Sequence, residues 1–251
     1  MVRELFFSFA AFFFMSISAM TGLFSNEEQA KDLTLYKNAV DLTGDGRKED
    51  ILLHADPYQE KSPFLKNVFI EIHSSTEKTY RIDLDSGFRP NLSFKDLNGD
   101  GIKDIFTVIE KGGKGGIIQN HLYTLKDFKL EELQLPEPLE MDGNFINGYK
   151  AELTLNANGK TFLFDLKSRN KEYEKLGLYV DGKLNEPTEL KINGFHSLDP
   201  ISFRDGSWGL RGIQQIDGIA AADTIGNVNT LWKHKEGAWT LSQASVLEEG
   251  K

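Results

Sequence analysis

From Lys31 onward the hydrophobic and polar residues alternate with a period close to two, broken about every 8–12 residues by turn formers, the pattern of short half-buried strands. Asn67 to Ile72 and Thr79 to Leu84 flank the polar stretch His73–Lys78. Ile105 to Glu110 and Ile117 to Leu125 flank Lys111–Gly116, and Glu152 to Leu155 and Thr161 to Leu166 flank Asn-Ala-Asn-Gly at 156–159. Leu178–Val180 runs into Asp181-Gly182, a dipeptide suited to a two-residue hairpin because both positions tolerate positive φ. Asn229–His234 and Ala238–Ser242 flank Lys235-Glu236-Gly237. Only Arg169–Leu176 has a helical pattern. The reading is an all-β fold over 31–251, with no Pro/Ser-rich or low-complexity linker to divide it; the softest point is Pro136–Asn147.

The pattern before Lys31 differs. Leu5 to Ser25 carries no charge and is rich in Phe, Leu, Ala and Met, with Arg3 before it and Glu27 and Glu28 after it. A charged start, an apolar stretch and small residues (Ser16, Ser18, Ala19) form the outline of a secretory signal. Uncut, a stretch of about 20 apolar residues is long enough to cross a bilayer as a helix. Residues 1–25 are therefore expected to be a signal peptide or an N-terminal membrane anchor. Either way the rest of the chain is expected to be secreted or in the cell envelope, or held at the outer face of the membrane.

Composition narrows the chemistry. The chain has 251 residues and no cysteine, so disulfides, thiolate zinc sites and lipid-modified cysteines are excluded. Its formal net charge of −9 argues against sequence-independent nucleic-acid binding, which needs clustered Lys and Arg to neutralise phosphates.

Two segments share one frame: Asp41-Leu-Thr-Gly-Asp-Gly-Arg-Lys-Glu49 and Asp96-Leu-Asn-Gly-Asp-Gly-Ile-Lys-Asp104. Oxygen-bearing side chains occupy positions 1, 3, 5 and 9: Asp41, Thr43, Asp45 and Glu49 in the first, Asp96, Asn98, Asp100 and Asp104 in the second. Glycine stands at position 6, where a sharp turn with positive φ is expected. Calcium is a hard ion that takes 6–8 oxygen ligands, and a loop curled around it would offer these side chains plus the carbonyl of position 7, Arg47 or Ile102. Three carboxylates drawn together repel, so a divalent cation is their natural counter-charge. Magnesium suits such a loop less well because it demands tight octahedral geometry. An EF-hand would need a bidentate Glu at position 12 and flanking helices, but position 12 is Leu52 or Thr107 and a strand-like run follows each loop.

At these residues the sequence resembles the FG-GAP or VCBS repeats of integrin α-type β-propellers, in the form Asp-Leu-Asn-Gly-Asp-Gly-x-x-Asp-Ile. The whole chain is also similar to VCBS-repeat proteins of spore-forming Gram-positive bacteria, through Gly-Phe-His-Ser-Leu-Asp-Pro-Ile and Ala-Asp-Thr-Ile-Gly. The resemblance implies a propeller-like array of about four antiparallel blades. Calcium-loop repeats would span 41–95 and 96–140, and degenerate blades 141–198 and 199–251. It also implies a calcium-ligand role for the eight side chains and two carbonyls named above. Aligning Asp205-Gly206 with positions 5 and 6 puts Ile201, Phe203 and Gly209 at the other ligand positions, so this turn is expected to lack metal.

No catalytic motif emerges. The histidines, His54, His73, His121, His196 and His234, are scattered without a zinc spacing. Gly206-Ser207-Trp208-Gly209 is too short for a nucleophile elbow. Lys111-Gly-Gly-Lys-Gly-Gly116 lacks the phosphate-loop order and sits between strands. Trp208, Trp232 and Trp239 offer either a sugar platform or core packing, and packing is the commoner use in strands. The expectation is an exported, non-enzymatic module with two structural calcium sites and a protein or glycan partner at the cell surface. The alternatives are a polysaccharide-acting envelope hydrolase and a purely structural envelope or spore protein.

Overall fold

The computed structural model describes residues 33–112 and 117–248, so the proposed signal or anchor at 1–25 lies outside the described residues. Among the described residues no helix is long and apolar enough to cross a membrane. The secondary structure is mostly β, and every strand pair is antiparallel.

The first sheet contains β1 (Leu33–Val40), β2 (Glu49–Pro57), β3 (Phe64–His73), β4 (Thr79–Asp83), β5 (Gly87–Lys95), β6 (Asp104–Gly112), β7 (Ile117–Thr124) and β8 (Glu131–Leu133). Its order is β1-β2-β3-β5-β6-β7-β8, with β4 paired to β3. A three-stranded sheet follows, from β9 (Met141–Ile146), β10 (Lys150–Leu155) and β11 (Lys160–Asp165). The short helix α1 (Asn170–Lys175) precedes a two-stranded ribbon, β12 (Tyr179–Val180) and β13 (Lys183–Leu184). The last sheet runs in chain order through β14 (Lys191–Ser202), β15 (Trp208–Asp217), β16 (Thr224–Lys235) and β17 (Ala238–Glu248).

The local readings hold. Each expected hairpin forms, the only α-helix among the described residues lies within 169–176, and Asp181 and Gly182 have φ of 49° and 76° at the ribbon turn. The propeller-like assembly does not. Both loop repeats enter one eight-stranded sheet, because β3 pairs with β5 through Phe64↔Phe88 and Leu65↔Gly87. The four sheets have eight, three, two and four strands, not four like blades, and none is closed. The physical reason is a shared core. Ile51, Ile70, Ile82 and Leu92 of the first repeat pack in one cluster with Ile105, Tyr123 and Leu125 of the second. Their apolar faces are thus removed from water against each other, where separate blades would each bury their own.

Strand alternation explains how the sheets meet. In β6, Ile105 and Ile109 point one way and Phe106 the other, and all three are at most 1% exposed. Ile105 belongs to the first cluster, whereas Phe106 joins Leu97 and Leu122 against Leu198, Leu210 and Trp232 of the last sheet. The same strand therefore serves two cores, which accounts for its nearly unbroken hydrophobic run. A third core packs Leu153, Leu155 and Phe164 of the three-stranded sheet and Tyr173 of α1 against Ile216 and Val228. The buried Gln214 side chain links these parts, accepting from Leu139 N–H (2.7 Å) and donating to Leu139 C=O (3.1 Å).

Backbone approach in the last sheet depends on Gly209, where a Cβ would lie 2.2 Å from the Trp232 carbonyl oxygen and 2.6 Å from the Phe203 ring. Gly209→Ala is expected to lower stability by about 1–3 kcal/mol in urea denaturation, the usual cost of overpacking. Gly194→Ala, whose Cβ would meet only Pro138 Cγ at 3.8 Å, should stay within about 0.5 kcal/mol.

Candidate metal centre

Each nine-residue loop closes a hairpin. The first joins β1 to β2 above the pair Val40↔Glu49, and the second joins β5 to β6 above Lys95↔Asp104. Position 9 is therefore the first residue of a strand, which carries its side chain into the interior. Glu49 and Asp104 are both 0% exposed.

The two loops repeat one hydrogen-bond frame. The position-1 carboxylate accepts the amides of positions 4 and 6: Asp41 takes Gly44 at 2.8 Å and Gly46 at 3.0 Å, and Asp96 takes Gly99 and Gly101 at the same distances. The position-5 carboxylate accepts the amide of position 7, Arg47 on Asp45 (2.8 Å) and Ile102 on Asp100 (2.9 Å). The position-9 carboxylate reaches back to the amide of position 2, Leu42 on Glu49 (2.7 Å) and Leu97 on Asp104 (2.8 Å). Position 3 also turns to position 9: Thr43 Oγ1 lies 3.4 Å from Glu49, and Asn98 Nδ2 donates to Asp104 at 3.2 Å. Gly46 and Gly101 have φ of 84° and 88°, the left-handed conformation expected at position 6.

The fold sets the loops side by side. The Ile102 side chain covers Gly44, leaving no room for a Cβ, which would sit 2.6 Å from Ile102 Cδ1. The Ile102 side chain is thus a packing group, where the ligand pattern gave a role only to its carbonyl. Past β7, Asp127 N–H donates to the Thr43 carbonyl (3.0 Å) and Lys126 Nζ pairs with Asp100 at 3.2 Å. Ser75 Oγ donates to Asp45 (2.6 Å), and His234 Nδ1 donates to the Asn98 carbonyl (2.9 Å). None of Ser75, Lys126 or His234 had a signal in the sequence, since each arrives from a distant segment.

Electrostatically the second loop is the more strained. Burial pushes the Asp104 carboxyl up to about 6, and repulsion from Asp100 and Asp96 adds to this while the amides of Asn98 and Leu97 oppose it. In the first loop, hydrogen bonds from Ser75 and the Arg47 amide hold the Asp45 carboxyl below its ordinary value. The donors suit a hard cation in kind, being all oxygen. Among the described residues the donors form no group of three Asp, Glu or His side chains around a metal-sized space. Their carboxylates are engaged by loop amides instead.

The remaining candidates resolve into packing and pairing. Asp205 at the β14–β15 turn is taken by Lys233 (2.6 Å) and Ser207, which hold its carboxyl far below the usual range. Trp232 donates to Thr230 (2.8 Å) and is 9% exposed, Trp239 donates to the Gln134 carbonyl (2.8 Å), and Lys95 lies over Trp208. His121 stands between Asp85 and Glu132, His73 beside Glu71, and His54 stacks on Phe69.

The loop geometry separates charge from hydrogen bonding. Asp104→Ala, measured by urea denaturation with a chelator present, should cost about 2–4 kcal/mol because the buried Leu97 amide and the half-buried Asn98 amide lose their acceptor. Asp104→Asn keeps an acceptor and removes the repelled charge, so it is expected within about 1 kcal/mol of the parent.

Comparison with known proteins places the chain outside the repeat family that its loops resemble. A family model described as "YybI C-terminal domain" matches residues 139–247, which includes neither loop. A Bacillus subtilis (strain 168) protein described as "Uncharacterized protein YybI" is 30% identical over 214 residues, covering 82% of this chain and 81% of that protein. These matches, together with the single sheet that takes up both loops, overturn the assignment to FG-GAP or VCBS repeats, whose short loop motif is a turn solution that unrelated hairpins also reach. The chain belongs to the YybI family.

Proposed function

We propose that this protein is an exported, non-catalytic β-sheet module that binds calcium at its two aspartate-rich loops, the ion serving to hold the fold. The observation that carries this is the repetition of one core hydrogen-bond frame in two adjacent hairpin loops, each with a buried carboxylate at position 9. Turn formation alone needs an Asx residue and a glycine. It does not need a fully buried acid at the start of the next strand, where desolvation opposes the charge. A cation bound by Asp41, Thr43, Asp45, Glu49 and the Arg47 carbonyl, and by the matching set at Asp96, Asn98, Asp100, Asp104 and Ile102, would offset that cost. The lone pairs left over after the amide bonds give it ligands. Export is supported by the uncharged stretch Leu5 to Ser25 and by the acidic residues that follow it. The partner in this reading is a protein or glycan at the cell surface, since extracellular modules commonly use calcium of modest affinity, with Kd about 10⁻⁴–10⁻³ M, to stiffen a binding surface.

The test is a thermal melt of metal-stripped protein with and without calcium. At about ten times Kd each site adds ~1.4 kcal/mol, which for a domain of this size raises Tm by about 3–6 °C. The double variant Asp41→Asn, Asp96→Asn should lose that shift, and magnesium should give a smaller one. An unchanged melting temperature on adding calcium to the stripped protein would sink the proposal.

A further inference from the structure

A cavity of about 450 Å³ lies between the first sheet and the last, lined by segments of β7, β14 and β15 and by the loop after β15. Its volume is in the range of small-ligand sites, and its walls are mixed, with Ile118, Phe195 and Leu198 making an apolar side. The polar side of the wall is made by Gln119, Asn120, Asn193, His196, Gln215 and Asp217, of which Asp217 is a carboxylate only 2% exposed.

Asp217 is held by neutral groups. One carboxylate oxygen accepts Gln215 Nε2 (2.7 Å) and Thr224 Oγ1 (3.0 Å), and the other accepts Asn193 Nδ2 (2.9 Å). Among the described residues lining the cavity there is no Lys or Arg. A carboxylate this deep is ordinarily paired with a cation, because removal from water costs far more than neutral donors return. It has about four acceptor positions, of which these bonds use three.

The strands are distorted where these residues lie. β14 shifts register between Ile192 and Phe195 and again between Phe195 and Ser197, and the β15–β16 pairing shifts between Ile216 and Asp217. Such bulges re-aim side chains, and they cluster at binding sites. Here Asn193 comes onto Asp217 from the neighbouring strand. Alternation along β15 places Gln215 and Asp217 on the face opposite Ile216, which is committed to the core.

We infer that this cavity binds a small organic cation, its ammonium group held by Asp217 and its hydrocarbon part packed against Phe195, Leu198 and Ile118. An anion would meet the carboxylate, and among the described lining residues there is no Lys or Arg to offset it. A divalent metal would find a single carboxylate among amides, too few charged oxygens for a hard ion. A neutral ligand would leave the buried charge uncompensated. The site is separate from both loops and does not depend on calcium.

The probe is n-butylammonium, compared with 1-butanol of the same length, added to ¹⁵N-labelled full-length protein. The expected result is saturable shifts at the side-chain amides of Asn193 and Gln215 with the amine, and binding at least about tenfold weaker with the alcohol. Asp217→Asn should lose about tenfold or more in affinity. Ala221→Phe, which fills the rim and leaves the Asp217 network untouched, should also block the response, so a misfolded Asp217 variant would not blur the outcome. Equal response to amine and alcohol, no saturable response, or binding retained in the Ala221→Phe variant would overturn the inference.

Discussion

The structure turns on a carboxylate at the first position of a strand reaching back to the amide that opens the preceding loop. Glu49 does this for β1 and β2, and Asp104 for β5 and β6. The bond fixes where each hairpin closes, and hence the register of every residue beyond it. Because side chains alternate along a strand, a slip of one residue would turn Ile51 and Leu53, or Ile105 and Ile109, out of the core they build. Burial of the acid is what gives the bond its leverage: with no water to take its place, an unmade bond leaves two groups unsatisfied.

Around these bonds the two loops act as one knot. Ile102 seals Gly44, the turn after β7 holds Thr43 by its backbone and Asp100 by Lys126, and His234 ties Asn98 to the last sheet. The loops thus lie where the two repeats meet the C-terminal region, so whatever stiffens them stiffens the junction. A cation acting there would work through the fold and would not need to touch a partner. The family match covers the other side of this junction, 139–247, in which the sheet β14–β17 and its buried Asp217 are found.

Hairpins were legible because they are local. Two runs of alternating residues and the turn between them lie within about 20 residues, and the turn chemistry of Asp181-Gly182 or Lys235-Glu236-Gly237 names the bend directly. The ligand-type spacing of Asp41–Glu49 and Asp96–Asp104 was legible for the same reason. Ser75, Lys126 and His234 were not, since nothing near them in the chain records which loop they meet. Nor was Asp217: a lone acid at a strand end reads as surface until its neighbours Asn193 and Thr224 are seen to enclose it.

The sequence by itself determined the β class, the positions of the turns, the helix within 169–176 and the duplicated loop, all set by steric and hydrogen-bonding preferences within a few residues. The tertiary structure decided that the two repeats share one sheet and one core, and that the loops are neighbours. It also decided that their carboxylates are held by loop amides. Those outcomes depend on which apolar faces bury each other and which strand edges pair. Many strands offer the same alternating face, so the choice is made by packing across the whole chain, which no local pattern encodes.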